Sequence, residues 1–147
     1  MRALKWLAAA ALWGCSPHVS TPALDAGVGS PPELGSSLNV RVVEDSVQLE
    51  IHITNVASSP LALEFMTTQR YDFEVSSATG DRIWSWSADR AFGEALGRET
   101  LAPGESRRYM ATWWGGGREG GDYVATARVV SVNYPVELRT GFRLPAE

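Results

Sequence analysis

The feature that most constrains the fold of this chain is an alternation of apolar and polar residues with a period of two. Between residues 47 and 54, apolar side chains at the odd positions alternate with polar side chains at the even positions. A strand with one buried face and one solvated face has this pattern, whereas a helix does not. The sequence therefore predicts a half-buried β-strand over these residues.

The same alternation recurs along the chain, and turn sequences separate the repeats. The other inward-facing sets are Leu61, Leu63 and Phe65; Tyr71, Phe73 and Val75; Tyr123, Ala125, Ala127 and Val129; and Val136, Leu138, Thr140 and Phe142. Segments rich in turn-forming residues lie between them, at 55–60, 79–81, 102–104 and 115–121. Roughly seven to nine short strands in about 110 residues predict an antiparallel β-sandwich of immunoglobulin-like type, with a closed barrel as the alternative.

One segment interrupts the strand pattern. Residues 87–100 do not alternate, and we predict a short helical turn over residues 88–96 that packs Phe92 and Leu96 across one end of the sandwich. The large aromatic side chains are expected to fill the core, because each buries a large area when enclosed. They are Trp84, Trp86, Phe92, Tyr109 and Trp113.

The N-terminal residues have a different composition from the rest. Two basic residues, Arg2 and Lys5, precede an apolar stretch at 6–13. The sequence Leu12-Trp13-Gly14-Cys15 resembles the lipobox of bacterial lipoproteins. We therefore predict a signal peptide at residues 1–14 and lipidation of Cys15. A flexible tether rich in Pro, Gly, Ser and Thr is predicted up to residue 37, followed by one domain at residues 38–147. The alternatives are an ordinary secretory signal and a buried N-terminal helix with an incidental cysteine.

These predictions place the protein at the bacterial cell envelope, at the outer membrane if the cell has two membranes. Contact with the membrane is expected through the lipid anchor alone, because no apolar run reaches the ~20 residues of a membrane-spanning helix. The net charge is −4, and the 13 basic residues are scattered along the chain. This charge distribution argues against a nucleic-acid partner.

Residues typical of catalytic and metal sites are scarce in the predicted domain. It has no cysteine and one histidine, His52, which the alternation places on a solvated strand face. No serine lies in a Gly-x-Ser-x-Gly turn, and the glycines at 115–117 lack the Lys-Ser/Thr pair of a phosphate-binding loop. Asp72 and Glu74 share one strand face and are interpreted as solvated surface. We therefore expect a binding protein rather than an enzyme, without catalytic residues, metal or cofactor.

Several motifs occur together in a specific order. Residues 65–73 read Phe-Met-Thr-Thr-Gln-Arg-Tyr-Asp-Phe, and Ile83-Trp84-Ser85-Trp86-Ser87 and Phe92 follow. The set is completed by Leu101-Ala-Pro-Gly-Glu105, Tyr109, Trp113 and Gly121-Asp-Tyr123. Over residues 47–129 this arrangement resembles the intracellular proteinase inhibitor (BsuPI) family of small β-sandwich proteins. The resemblance implies a protein partner, because the family is named for an inhibitor of an intracellular serine protease.

The leading hypothesis is an envelope-tethered protein-binding module that acts as an inhibitor of a subtilisin-like serine protease. An inhibitor needs a protruding, preorganised loop, and residues 87–100 are the predicted location. The candidate partner-binding residues within it are Asp89, Arg90, Phe92 and Glu94.

The alternative is a structural or accessory envelope lipoprotein that binds another envelope protein or polymer without inhibitory activity. An exposed cluster among the tryptophans at 84, 86, 113 and 114 would favour this alternative, because large exposed apolar patches mark interaction sites.

Overall fold

Strands account for all the regular secondary structure in the computed structural model, which describes residues 29–115 and 119–146. There are nine of them in these ranges: β1 Leu34–Val43, β2 Ser46–Asn55, β3 Leu61–Phe65, β4 Tyr71–Ser77, β5 Arg82–Ser85, β6 Gly97–Leu101, β7 Ser106–Trp113, β8 Gly121–Val129 and β9 Val136–Leu144. Across the same ranges no helix is long and apolar enough to cross a membrane.

The strands form two larger sheets and one smaller pair. The first sheet has the order β1-β2-β7, the second has the order β5-β4-β8-β9, and β3 pairs with β6. Every pairing is antiparallel. β1 and β2 lie against β9 and β8, so the first sheet faces the second. The predicted antiparallel sandwich is confirmed, and within the described ranges no strand pairing joins the two larger sheets into a barrel.

The core lies between the inner faces of these sheets. The four apolar positions of β2 are all buried, as the alternation predicts, and so are the alternating positions of β3. Between β4 and β8, Phe73 pairs with Ala127 and Val75 pairs with Ala125, and all four side chains are fully buried. Each large apolar side chain enclosed in this way stabilises the fold by about 1.5–3 kcal/mol.

The predicted aromatic core is confirmed only in part. Trp113 is buried, whereas Trp84, Trp86, Phe92 and Tyr109 are half-buried at the margin of the core. The largest fully buried side chains are those of Phe65 and Phe73. The half-buried rings are therefore available to organise the adjoining connection.

The boundary between tether and domain differs from the prediction. β1 begins at Leu34, and residues 34–37 pair with residues 52–55 of β2, so the last four residues assigned to the tether belong to the sheet. The Gly-Ser-Ser sequence at 35–37 has the composition of a flexible linker. It nevertheless forms a strand, because it pairs with β2 and follows the buried side chain of Leu34. The predicted signal peptide, Cys15 and the tether as far as residue 28 lie outside the described residues.

The predicted helical turn at residues 88–96 is wrong. Residues 86–89 form turns in which the amides of Ala88 and Arg90 donate to carbonyls three residues earlier, and the chain then continues without regular structure. Gly93 lies inside this stretch, where glycine disfavours a helix. Leu96 is 80% exposed instead of packing on the core, and residues 97–101 form β6.

A buried asparagine ties the end of β2 to the β3–β6 pair. The Asn55 side chain has no exposed surface; its Nδ2 donates to the carbonyls of Ser59 and Leu101, both at 2.9 Å, and its Oδ1 accepts from the Ala57 amide at 2.9 Å. The Asn55 carbonyl accepts from the amide of Gly104, whose φ of 77° suits glycine.

We expect Asn55→Ala to lower the free energy of unfolding by about 2–4 kcal/mol, because the change leaves buried backbone groups without partners. Urea unfolding followed by circular dichroism measures this. Asn39→Ala, at an exposed position of β1, is the matched control and should change the value by less than about 0.5 kcal/mol. Equal effects of the two substitutions would contradict the role assigned to Asn55.

A polar cluster around Glu99 joins the three sets of strands. The Glu99 carboxylate on β6 accepts from Arg70 Nε at 2.8 Å, just before β4, and from the Tyr109 hydroxyl of β7 at 3.1 Å. Arg107 Nε lies 3.9 Å from the same carboxylate. Burial raises the pKa of Tyr109 well above its usual range, and the neighbouring Glu99 charge raises it further.

This raised pKa predicts a loss of stability at alkaline pH. A tyrosine in the unfolded chain ionises near pH ~10, whereas Tyr109 keeps its proton in the folded protein. The contribution of Tyr109 is therefore complete below that pH and declines as the pH rises above it, by up to about 1.4 kcal/mol per pH unit.

We expect Tyr109→Phe to remove this part of the pH dependence in urea unfolding measured from pH 8 to pH 11. Tyr134→Phe, outside the Glu99 cluster, controls for the loss of one tyrosine and should keep the wild-type dependence. An unchanged slope in Tyr109→Phe would show that the cluster does not hold the phenol neutral.

Candidate partner-binding site

Residues 86–96 form the longest connection between consecutive strands and run from the end of β5 to the start of β6. Residues 88–91 and 93–96 are exposed, whereas Trp86, Ser87 and Phe92 are half-buried. We call these eleven residues the 86–96 segment. Its exposed positions are available to a partner, and its half-buried positions attach it to the sandwich.

A stack of side chains fixes the first part of the segment. It begins at Tyr109, whose ring centroid lies 4.8 Å from that of Tyr71, and Tyr71 lies 4.3 Å from Trp86. The Arg90 guanidinium covers the Trp86 ring at 4.2 Å, and Phe92 lies against the same tryptophan at 5.8 Å. Arg90 Nε also donates to the Trp86 carbonyl at 3.0 Å. The stack thus connects β7 and β4 to the 86–96 segment.

The Asp72 carboxylate provides the first hydrogen-bonded anchor. It accepts from the Ser87 hydroxyl at 2.7 Å and from the Ser87 amide at 3.2 Å, and it also accepts from the Phe73 amide at 2.8 Å. The Trp86 amide donates to the Phe73 carbonyl at 2.8 Å. Asp72 is therefore a positioning residue for the segment rather than the solvated surface residue predicted from the sequence.

Thr68 provides the second anchor, near the middle of the segment. Its amide donates to the Gly93 carbonyl at 3.0 Å, and its Oγ1 accepts from the Gly93 amide at 2.9 Å. The Ala95 amide donates to the same Gly93 carbonyl at 2.9 Å. The 86–96 segment is therefore attached to the body at Ser87 and at Gly93.

The four predicted partner-binding residues fall in two groups. Arg90 and Phe92 pack on Trp86, and Asp89 is exposed beside them. Glu94 is also exposed, but it lies beyond the Gly93 anchor. Their contact with a partner stays a prediction. The anchoring roles of Asp72 and Thr68 were not predicted from the sequence, where the only signal was the position of both residues in the motif at 65–73.

A groove lies beside the first part of the segment. Its volume is about 710 Å³, and its lining includes Tyr71, Trp84, Trp86, Met110 and Trp114 together with Asp89 and Arg90. We call it the aromatic groove. Of the tryptophans at 84, 86, 113 and 114, three line this groove and Trp113 is buried. Trp114 is 76% exposed.

A second groove lies beside the end of the segment. Its volume is about 360 Å³, and it is lined by Phe65, Met66, Leu96, Gly97 and Val132, with Glu64 and Arg98 at its rim. We call it the apolar groove. Arg98 Nη2 lies 2.8 Å from the Glu64 carboxylate in an exposed ion pair.

The side chains around the two grooves are mainly aromatic, aliphatic and charged. Among residues 29–115 and 119–146 there is no group of three or more His, Cys, Asp or Glu side chains that could hold a metal ion. His52 is half-buried on β2, in register with Ser37 and Arg108. The exposed side chains of the segment instead offer apolar and charged contacts to a partner.

Comparison with solved structures finds weak similarities. A penta-heme cytochrome c552 from Thermochromatium tepidum has 10% identity and a TM-score of 0.48, over 77% of this chain and 40% of that chain. A β-glucosidase from Kluyveromyces marxianus has 11% identity and a TM-score of 0.42, over 76% of this chain and 14% of that chain. For β-glucosidase 3B from Thermotoga neapolitana, the identity is 18% and the TM-score is 0.42, over 75% of this chain and 15% of that chain.

This chain spans less than half the length of each of those three proteins. Matches of this strength carry no information about what the chain binds. A search of curated proteins finds no sequence match.

Comparison with protein families gives one match. The sequence model of the BsuPI family, described as intracellular proteinase inhibitor, matches residues 34–134. The description of the family as intracellular contradicts the predicted location at the cell envelope and outer membrane, and that prediction is wrong. The matched range starts at the first residue of β1 and includes both anchors of the 86–96 segment. The chain belongs to the BsuPI intracellular proteinase inhibitor family.

Proposed function

We propose that this protein inhibits a serine protease of the subtilisin-like class by placing the 86–96 segment in the substrate cleft of the protease. The observation that carries the proposal is an exposed connection held at two points, in a member of a proteinase inhibitor family. Such a segment presents its side chains to a partner without being free to rearrange.

The two anchors reduce the free-energy cost of binding. Fixing the backbone of a free residue costs about 1–2 kcal/mol, and an unanchored loop would lose this entropy on entering the cleft. Here the Asp72 and Thr68 hydrogen bonds and the stack on Trp86 restrict the segment in the free protein. Preorganisation of this kind increases affinity by lowering the ordering cost.

The exposed charges suit the rim of such an interface. Asp89 and Glu94 are exposed carboxylates on either side of the Gly93 anchor, and the Arg90 guanidinium is engaged with Trp86. Charges at an interface rim affect the association rate and specificity more than the affinity. These residues are therefore proposed to orient the complex, whereas an apolar contact supplies most of its stability.

We expect the full-length chain to inhibit at least one subtilisin-like enzyme in a panel that also contains chymotrypsin and trypsin. Inhibition is measured with chromogenic substrates, and mass spectrometry of the recovered chain distinguishes an inhibitor from a protein that is merely degraded. An unrelated β-sandwich protein at the same concentration is the control. Absence of inhibition of every subtilisin-like enzyme at tens of micromolar would contradict the proposed function.

We expect Thr68→Val to weaken inhibition several-fold without unfolding the protein. Valine has nearly the same shape but removes the acceptor of the Gly93 amide, so the segment becomes less ordered before binding. Hydrogen exchange at the Gly93 amide should become faster. Thr100→Val, at an exposed position of β6, is the matched control. Unchanged exchange at Gly93 would show that the Thr68 hydroxyl does not anchor the segment.

A second candidate function is the binding of another protein or polymer without inhibition. The exposure of Trp114 beside Met110 on the aromatic groove favours it, because exposed apolar clusters mark interaction sites. The inhibition assay separates the two candidates, because this one requires no contact with a protease.

A further inference from the structure

We propose that Leu96 is the residue that enters the primary specificity pocket of the inhibited protease. This inference rests on the proposed function and deepens it. It defines the target as a protease whose pocket accepts a large aliphatic side chain. It also places the centre of the interface beyond the Gly93 anchor, one residue before β6.

Leu96 has the highest exposure of any large hydrophobic side chain in the described ranges, at 80%. A leucine left in water forgoes about 1.5–3 kcal/mol of burial free energy. Met66 is 62% exposed and Val132 is 55% exposed, and both line the apolar groove with Leu96. Three exposed apolar side chains from separate parts of the sequence thus form one surface, which is typical of an interaction site.

The backbone conformation separates Leu96 from the other large side chains of the segment. Peptides that bind by adding a strand to their partner do so in an extended conformation. Residues 86–89 form turns, so this part of the chain is contracted, and the Arg90 side chain is occupied by Trp86. Phe92 is half-buried against the same tryptophan. Leu96 leads directly into β6 and is the large side chain of the segment that is both free and next to extended backbone.

Two glycines hold the backbone on either side of Leu96. Gly93 is anchored to Thr68, and Gly97 pairs with Phe65 of β3. A Cβ atom at Gly97 would collide with the Arg70 guanidinium, so this glycine permits a close approach of the side chain to the backbone. Arg70 therefore lies against the backbone of Gly97, the residue that directly follows Leu96.

Arg70 is held by several groups at once. Its Nε donates to Glu99 at 2.8 Å, its Nη1 donates to the Thr67 carbonyl at 2.8 Å, and its Cζ lies 4.5 Å from the centre of the Phe65 ring. Strand pairing and this fixed guanidinium restrain the backbone that follows Leu96. The side chain of Leu96 is thus presented on an ordered backbone, as insertion into a preformed pocket requires.

The surroundings of Leu96 match the wall of an apolar cleft. The apolar groove offers the exposed side chains of Met66 and Val132 to the protease surface around its pocket, the buried Phe65 ring forms its floor, and the Glu64–Arg98 pair forms a charged rim. An apolar centre with a polar rim is the usual composition of a protein–protein interface. In the proposed complex, the protease surface around its substrate cleft therefore covers the apolar groove.

The test is the inhibition constant of full-length Leu96 variants against subtilisin and chymotrypsin, which have apolar pockets, and trypsin, whose pocket is acidic. We expect Leu96→Ala to weaken inhibition of the apolar-pocket enzymes about tenfold and Leu96→Asp about a hundredfold or more. Leu96→Arg should weaken inhibition of the same enzymes and strengthen inhibition of trypsin at least about tenfold.

The matched controls are Val56→Asp and Val56→Arg. Val56 is 60% exposed. It follows Asn55, whose side chain donates to the Leu101 carbonyl at the end of β6, whereas Leu96 lies directly before the start of β6. We expect these variants to keep the wild-type inhibition constants within about threefold. Thermal unfolding of every variant verifies that the fold is retained, and exposed substitutions seldom change stability strongly.

The possible results separate the inference from the proposed function. If the wild-type chain inhibits a protease and the Leu96 variants inhibit it equally well, the inference is overturned while the proposed function stands. If Leu96→Asp loses inhibition but Leu96→Arg leaves the preference between apolar and acidic pockets unchanged, Leu96 is a contact outside the pocket and the inference is again overturned. If the wild-type chain inhibits none of the enzymes, both are overturned.

Discussion

The hydrogen-bonded ion pair between Arg70 and Glu99 is the interaction on which both the sandwich and its exposed segment depend. Glu99 belongs to the β3–β6 pair, Arg70 precedes the second sheet, and Tyr109, which donates to the same carboxylate, belongs to the first sheet. A half-buried charge pair stabilises a structure only when its remaining hydrogen-bonding groups are also satisfied. Here the Tyr109 hydroxyl and the carbonyl of Thr67 complete the cluster. One carboxylate therefore fixes the relative positions of three sets of strands.

The same cluster supports the candidate binding surface from two directions. Tyr109 begins the stack that ends at Arg90, so the first part of the 86–96 segment is built on a ring whose hydroxyl is bound to Glu99. Arg70 lies against Gly97, which follows the last residue of the segment. Stability and loop geometry are therefore properties of one network, and additivity between substitutions is not expected within it.

The strands with a clear alternation, such as β2 and β3, were predictable because burial of a single face leaves a period of two in the sequence. This holds for β2, where every odd position is buried as predicted. The N-terminal boundary failed because Gly35 and its serine neighbours have the composition of a linker and acquire their strand character only by pairing with β2. The 86–96 segment failed for a related reason: its conformation depends on Asp72 and Thr68, which are distant in sequence. No local pattern records such contacts.

The stack from Tyr109 to Arg90 also has a thermodynamic consequence. It contains residues from both larger sheets, so it exists only when the whole sandwich has formed. A partner that recognises the 86–96 segment in this geometry binds the native state and has nothing equivalent to bind in the unfolded chain. Occupancy of the segment must therefore stabilise the entire domain by mass action, in proportion to the logarithm of partner concentration over its dissociation constant. The melting temperature of the domain is in this way linked to the partner bound at its longest connection.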